Sequence, residues 1–370
     1  MESAIKRWMI LNSYNRSRTF MKTRALLTVL LPFFLAVFYC SSVLAAKDVT
    51  LAQADIVGAG ATFPAPLYQR WIKEFSSTSP GFTLFYDAVG SGEGIKRYLA
   101  DQIDFGASDS ALTDEQMSKV ERGALLIPAT AGIIVLAYNL PDVKGQVRLS
   151  REVYADIFLG KIQQWDDPRI VALNPGLTLP HLNIVTVSRN DSSGTTWAFT
   201  NHLNTINAKW KEAGFAASKK IDWPGNSMAA NYNEGVAVKI KHSWGAIGYV
   251  EYGVAKRAGL AMASLENKEG NFIPPSDISG TVTLATAANA MPTNLRQFLP
   301  DPAGKNSYPI VTYSWLLLYK SYADKAKAER VRQFVKWGLV EGQNFSSQYG
   351  FATLPKQVVT AALQALTTVQ

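Results

Sequence analysis

Three short runs, Gly58-Ala59-Gly60-Ala61-Thr62-Phe63, Gly90-Ser91-Gly92-Glu93-Gly94 and Asp191-Ser192-Ser193-Gly194-Thr195-Thr196, each stand between a strand-like stretch and an amphipathic helical pattern. The strand-like stretches are 55–59, 84–89 and 182–188. The helices that follow place Leu67, Trp71 and Phe75, then Ile95, Leu99 and Ile103, then Phe199, Leu203, Ile206 and Trp210 at helical spacing. Strand, tight turn and helix in succession select an α/β architecture, whose ligands gather beyond the carboxyl ends of the strands. A further short strand is predicted over 104–108. Thr113 with Gln116 forms a capping-box signature, so Asp109 falls in the loop between them. The apolar runs 132–138, 247–250 and 316–319 read as strands buried on both faces. The segment 264–307 is richer in Gly, Pro and Asn and reads as long loops with little regular structure. Helical periodicity returns in the last part of the chain, with Val331, Phe334 and Val335, then Val359, Leu363 and Leu366.

The amino end carries Lys6, Arg7, Arg16, Arg18, Lys22 and Arg24, then an apolar stretch from Ala25 to Tyr39 and the small residues Val43-Leu44-Ala45. That order reads as a secretory signal over 1–45, cut after Ala45, with Met21 as an alternative start. A retained membrane anchor is the rival reading, since about 20 uncharged residues span a bilayer. Pro32 and the nearby serines weaken it, and Tyr39 before Cys40 argues against a lipid anchor. Cys40 is the only cysteine, so a mature chain has no thiol, disulfide or Cys-ligated metal. About 325 residues remain, enough for two lobes. The first 45 residues carry six Lys and Arg against one Glu, so their removal takes the formal charge from +8 to +3. The mature part has no dense basic run with interleaved aromatics, which excludes a nucleic-acid partner.

A helix N-terminus offers unpaired N–H groups and the positive end of a dipole, so three such turns can jointly wrap a small oxyanion. A tetrahedral oxyanion taken out of water needs a donor for each oxygen and compensation for its charge. The N–H groups of Thr62, Phe63 and Gly194 and the hydroxyls of Thr62, Ser91, Ser193 and Thr195 suit that task. Gly92 and Gly94 let the backbone come close. Arg189 adds a bidentate cationic fork, and Asp191 two positions on can hold it. Asp109 is the odd member, because a carboxylate beside an anion repels it unless the anion carries a proton. Phosphate carries one at neutral pH and sulfate does not, so an acceptor there would reject the fully ionised analogue.

Gly58-Ala59-Gly60-Ala61-Thr62-Phe63-Pro64-Ala65-Pro66, Asp104-Phe105-Gly106-Ala107-Ser108-Asp109, Leu159-Gly160-Lys161-Ile162 with Trp165-Asp166-Asp167, and Gly245-Ala246-Ile247-Gly248-Tyr249-Val250-Glu251-Tyr252 closely resemble the periplasmic phosphate-binding proteins of bacterial high-affinity phosphate ABC importers. The resemblance runs in order across nearly all of the mature chain. It implies phosphate ligation by Thr62, Phe63, Ser91, Asp109, Arg189, Ser193, Gly194 and Thr195; the residues themselves add Asp191 in support of Arg189, and no cofactor or metal is expected. It also implies a type II periplasmic-binding fold with two hinge crossovers. One lobe would combine 46–130 with 311–370, and the other would comprise 131–310. The implied protein is a periplasmic monomer that closes on inorganic phosphate and delivers it to a membrane permease, without catalysis. Glu93 stands where the family has another small residue and is expected to face solvent, and 264–307 matches the family poorly.

Rival readings remain at this stage. A secreted phosphatase or esterase would use Ser193 or Ser91 as nucleophile, but neither motif itself contains a histidine or lysine to serve as its base. A phosphate-binding surface sensor or adhesion protein would keep the scaffold and change the role. Sulfate or molybdate would conflict with Asp109. His181, His202 and His242 lack metal-ligand spacing and read as solvated or capping residues. Trp165, Trp197, Trp210 and Trp244 read as packing residues, and Lys239, Lys241, Lys256 and Arg257 as a solvated face.

Overall fold

The computed structural model describes residues 54–370 apart from 80 and 82, so the signal segment expected over 1–45 lies outside the described residues. Nine strands form one continuous sheet. Three of them, β1 (Ile56–Gly60), β2 (Leu84–Ala88) and β3 (Phe105–Ser108), run parallel with β1 in the middle. The long strand β4 (Ala124–Tyr138) follows. After the short β5 (Arg148–Leu149) comes a second parallel trio: β6 (Val185–Arg189), β7 (Ser227–Ala230) and β8 (Ala246–Glu251), with β6 in the middle. Next come β9 (Ala261–Met262), β10 (Ser264–Glu266) and β11 (Phe272–Ile273), and then β12 (Val311–Tyr319). The spatial order is β2-β1-β3-β12-β4-β8-β6-β7, with β9 on β4; β11, β10 and β5 make a small separate sheet.

The two trios meet through β4. Ala124 to Ile133 pair antiparallel with β12, and Ile134 to Tyr138 pair antiparallel with β8. The ladder changes partner between Ile133 and Ile134, and Ile134 N–H donates to the Ile310 carbonyl at 2.9 Å. Every residue of β12 is buried, as are fourteen of the fifteen in β4, which explains the continuous apolar runs seen in the sequence.

Each half has its own aromatic core. In the first, Trp71 on the helix Ala65–Thr78 is fully buried and donates its Nε1–H to the Gly342 carbonyl at 2.8 Å. Phe75 on the same helix meets Phe334 at 5.6 Å, so the carboxyl-terminal helix Lys325–Val340 packs back onto the amino-terminal elements. Tyr98 stacks on Tyr319 at 4.5 Å, a pair worth about 0.5–1.5 kcal/mol beyond its buried area. In the second half Phe158, Phe199, Trp223 and Tyr249 cluster with centroid spacings of 4.7 to 6.1 Å.

Several expectations need correction. The segment 264–307 contains β10, β11 and the helix Asp277–Ala287, whose Ser276 and Ser279 form a reciprocal capping box. Its Gly, Ser, Thr and Ala content masked a helix whose start is set by hydrogen bonds rather than by apolar spacing. The helix expected to carry Trp210 stops at Ile206, because Asn207 accepts from Trp210 N–H and caps a new helix, Ala208–Glu212. The helix Ser91–Leu99 ends before Ile103, and Asp101 follows with φ +56°. His202 is not solvated. It is buried, with its ring nitrogens bonded to the Tyr154 hydroxyl at 2.7 Å and the Pro300 carbonyl at 2.6 Å. Burial pushes its pKa down to about 4, the Pro300 bond only partly opposing this, so it is a neutral structural clip. Trp165 and Trp210 are core residues, whereas Trp244 is exposed. Among the described residues no helix is long and apolar enough to cross a membrane.

Gly60 ends β1 with φ +147°, and a Cβ there would overlap the Ala107 carbonyl oxygen and lie 2.8 Å from Ala107 N. Gly60→Ala is therefore expected to destabilise the protein by about 2 kcal/mol or more, read as a lower urea midpoint with an unchanged m-value.

Candidate functional site

The parallel strands of both trios point their carboxyl ends toward one crevice, and every candidate residue lies at or just beyond such an end. Thr62 and Phe63 follow β1, where Ala61 N–H bonds the Ala107 carbonyl at 2.9 Å and holds the loop on β3. Phe63 is fully buried with its ring edge-on to Phe351 at 5.6 Å, which leaves its backbone N–H as the group it can offer. Ser91 opens the helix after β2, and its hydroxyl accepts from Asp109 N–H at 3.2 Å. Glu93, two residues on, is drawn away by Arg97 at 3.0 Å and Lys96 at 3.5 Å and stays partly exposed.

Arg189 is the last residue of β6. Its guanidinium is almost wholly buried, its Nε–H donating to Asp191 Oδ1 at 2.7 Å, an Nη to Asp191 Oδ2, and the other to Thr195 Oγ1 at 3.5 Å. Burial alone would raise the Asp191 carboxyl, but the Arg189 bonds and the Tyr232 N–H outweigh it and hold it below the usual range. Ser193 N-caps the helix Gly194–Ile206 by accepting from Thr196 N–H at 3.1 Å. The Thr196 hydroxyl pairs with Tyr249 Oη at 2.7 Å, and Arg189 N–H donates to that same oxygen at 3.0 Å. Tyr249 thus fixes the end of β6 and the start of the helix together.

The two sets of loops touch directly. Gly92 N–H donates to the Ser192 carbonyl at 2.9 Å. A Cβ on Gly194 would collide with the Ser91 hydroxyl and lie 2.8 Å from Asp109 Cβ, so the helix start sits against the loops of β2 and β3. Thr62, Phe63, Ser91, Asp109, Arg189, Ser193, Gly194 and Thr195 are all buried in one cluster. Among the described residues the N–H groups of Thr62, Phe63 and Gly194 reach no protein acceptor, a costly state for buried donors.

Asp109 accepts from the Ser314 hydroxyl at 2.7 Å, and its carbonyl accepts from Thr312 Oγ1 at 3.2 Å. Burial pushes its carboxyl up to about 7, against the pull of the Ser314 bond and the Arg189 charge. Sequence reasoning missed both β12 residues, although Thr312 and Ser314 stand two apart on an otherwise apolar strand and so share one face.

Asn233 was also missed. It is fully buried at the start of the helix Tyr232–Lys241, after β7, and its Nδ2 donates to Thr62 Oγ1 at 3.2 Å and Thr195 Oγ1 at 3.5 Å. Its Oδ1 accepts from Glu251 N–H at 3.1 Å. The signal was weak because β7, Ser-Met-Ala-Ala, lacks strand-forming residues and no glycine run follows it. Among the described residues no cluster of three or more His, Cys, Asp or Glu could hold a metal ion.

A family profile described as "PBP superfamily domain" matches residues 45–339. The chain is 38% identical over 314 residues to the phosphate-binding protein PstS of Pasteurella multocida, covering 84% of this chain and 89% of that one. It is 37% identical over 320 residues to PstS of Haemophilus influenzae, covering 86% and 94%. Among solved structures, a high-affinity periplasmic phosphate-binding protein (PfluDING) bound with phosphate aligns with TM-score 0.69 at 23% identity, over 83% of this chain and 92% of that one. A putative phosphate ABC transporter substrate-binding protein with bound phosphate from Clostridium perfringens aligns with TM-score 0.57 at 17% identity, over 81% and 99%. At these identities the structural likenesses speak for the fold, which is the type II periplasmic-binding fold. The chain belongs to the PstS phosphate-binding protein family, within the PBP superfamily.

Proposed function

We propose that the protein captures inorganic phosphate in the periplasm by closing two lobes around it and delivers it to an ABC-type membrane permease. The observation that carries this reading is that Thr62, Phe63 and Gly194, whose N–H groups reach no protein acceptor among the described residues, are buried in one cluster with Arg189 and with Asp109, which lies against Gly194. Donors and a cation for most corners of a tetrahedral anion, with one carboxylate for its proton, fit a protonated oxyanion. Thr62, Phe63, Ser91, Asp109, Arg189, Ser193, Gly194 and Thr195 are the proposed ligand residues, and Asp191 orients Arg189. The partner change of β4 at Ile133/Ile134 supports lobes of 46–130 plus 311–370 and 131–310, turning about that crossover and its neighbour at Ile310. The protein acts as a monomer and makes no bond. Ser193 Oγ is engaged as a helix cap and Ser91 Oγ accepts from a backbone N–H, and neither is held by an imidazole, His202 being bonded to Tyr154 and Pro300. That pattern gives a hydrolase no activated nucleophile.

Calorimetry with phosphate and with sulfate tests the reading. The parent is expected to bind phosphate and not sulfate at about pH 8.5, where Asp109 is ionised and can only accept. As pH falls through about 7 the raised carboxyl takes up its own proton and can donate instead. Preference for phosphate should then shrink by about tenfold or more at about pH 5.5, and Asp109→Asn should flatten this pH dependence. Equal sulfate binding by the parent at the higher pH would refute the role of Asp109.

Asp191→Ala leaves the buried Arg189 charge uncompensated and is expected to lower stability by about 3 kcal/mol in phosphate-free urea titrations. Phosphate should stabilise this variant more than it stabilises the parent, because the anion replaces the missing charge. Asn233→Ala should weaken phosphate binding about tenfold, mainly through faster release, with stopped-flow displacement as the readout.

A further inference from the structure

Two cavities flank the loop that carries Ser193. One, of about 500 Å³, lies between the helix Ser91–Leu99 and Ser192; the other, of about 300 Å³, lies between Ser110–Asp114 and the pair Trp197 and Phe298. Lys219 lines both. Its carbonyl accepts from Ser193 N–H at 2.9 Å, which ties it to the start of the helix Gly194–Ile206. The other cations around these cavities are engaged: Lys96 with Glu93 at 3.5 Å, and Arg296 with Asp114 at 2.6 Å and the Leu112 carbonyl at 2.9 Å. The Lys219 amine has no acceptor and no ion-pair partner among the described residues, although the side chain is half-buried. Burial holds its pKa below the ordinary lysine value, and no carboxylate offsets that cost.

Both cavities lie along the seam where the loops of β2 and β3 meet the residues around Ser192 and Trp197, and a cation kept there without a counter-ion calls for a mobile one. We propose that Lys219 forms an outer anion station, where inorganic phosphate is first held at the mouth before closure carries it to Arg189 and the helix N-terminus. The inference rests on the phosphate reading above and adds a residue outside the proposed ligand set. An entrance charge acts on encounter rather than on the sealed complex, so its effect belongs in the association rate and fades when salt screens it.

The test is stopped-flow association of inorganic phosphate, followed by tryptophan fluorescence, for the parent, Lys219→Gln, Lys219→Glu and Lys219→Arg at low and high salt. At low ionic strength Lys219→Gln should slow association about threefold and Lys219→Glu about tenfold, while Lys219→Arg stays near the parent. At about 0.5 M salt the rates should converge, and dissociation rates should be unchanged throughout. Parental association in Lys219→Gln overturns the proposal. So does a variant altered only in dissociation rate or melting temperature, which would mark Lys219 as a structural residue. Calorimetry of the parent separates the two readings: a parent that binds no phosphate refutes the proposed function and this inference with it, whereas a binding parent with indifferent variants refutes this inference alone.

Discussion

The dryness of the crevice depends on how closely the amino end of the helix Gly194–Ile206 approaches the opposite loops. A single methyl group at Gly194 would strike the Ser91 hydroxyl and lie 2.8 Å from Asp109 Cβ. Facing it, a Cβ on Gly90 would lie 2.7 Å from Asp191 Oδ2, and one on Gly92 would collide with Ser192. Glycine at these three points lets two backbones interleave where side chains would hold them apart. Water is thereby excluded, and each N–H dipole and each charge in the crevice acts through a lower dielectric than it would meet at the surface.

Exclusion of water sets the electrostatic terms. The buried Arg189 guanidinium is bound on two of its nitrogens to Asp191, so much of its charge is answered within the protein. On the proposed reading a guest anion would be held mainly by oriented N–H groups and hydroxyls, and selection would fall to the count of donors and acceptors rather than to net charge. Asp109 shows the consequence. Its carboxyl is pushed up by burial and pulled down by Ser314 and Arg189, ending close to neutrality, where it can change from acceptor to donor within the physiological range. A group so placed reads the protonation state of whatever faces it.

The parts legible in the sequence were those written locally. The turns after β1, β2 and β6 carry glycine and hydroxyl residues between strong apolar patterns, and Thr113 with Gln116 forms the reciprocal cap that its spacing predicts. What escaped was written across the chain. Asn233 gains its meaning from Thr62, 171 positions away, and Ser314 from Asp109, 205 positions away. Neither lies in a patterned run. His202 looked solvated because its partners, Tyr154 and Pro300, are 48 and 98 residues distant, and only packing reveals that both ring nitrogens are satisfied. The helix Asp277–Ala287 was hidden by composition, since serine and threonine are poor helix signals except where, like Ser276, they cap.

The bonds that hold the crevice shut divide unevenly between the halves. Of the groups Asn233 touches, Thr195 in the helix after β6 and Glu251 at the end of β8 would travel with it, whereas Thr62 lies in the loop after β1. Opening would therefore cost Asn233 one neutral hydrogen bond, worth about 1 kcal/mol net. The bond from Gly92 to Ser192 is of the same kind, and the Arg296–Asp114 pair has its carboxylate exposed, which places it among surface ion pairs of about 0–1 kcal/mol. On the proposed lobe division, contacts of this strength at the crevice would keep the two halves in register without committing them to closure. A guest that makes charge-assisted bonds to Arg189, Ser91 and the helix start at once has far more to lose on opening than the protein does alone. On the proposed reading the differential affinity that shifts the two states would reside in the anion, which is the arrangement a carrier needs if it is to close when loaded and reopen when emptied.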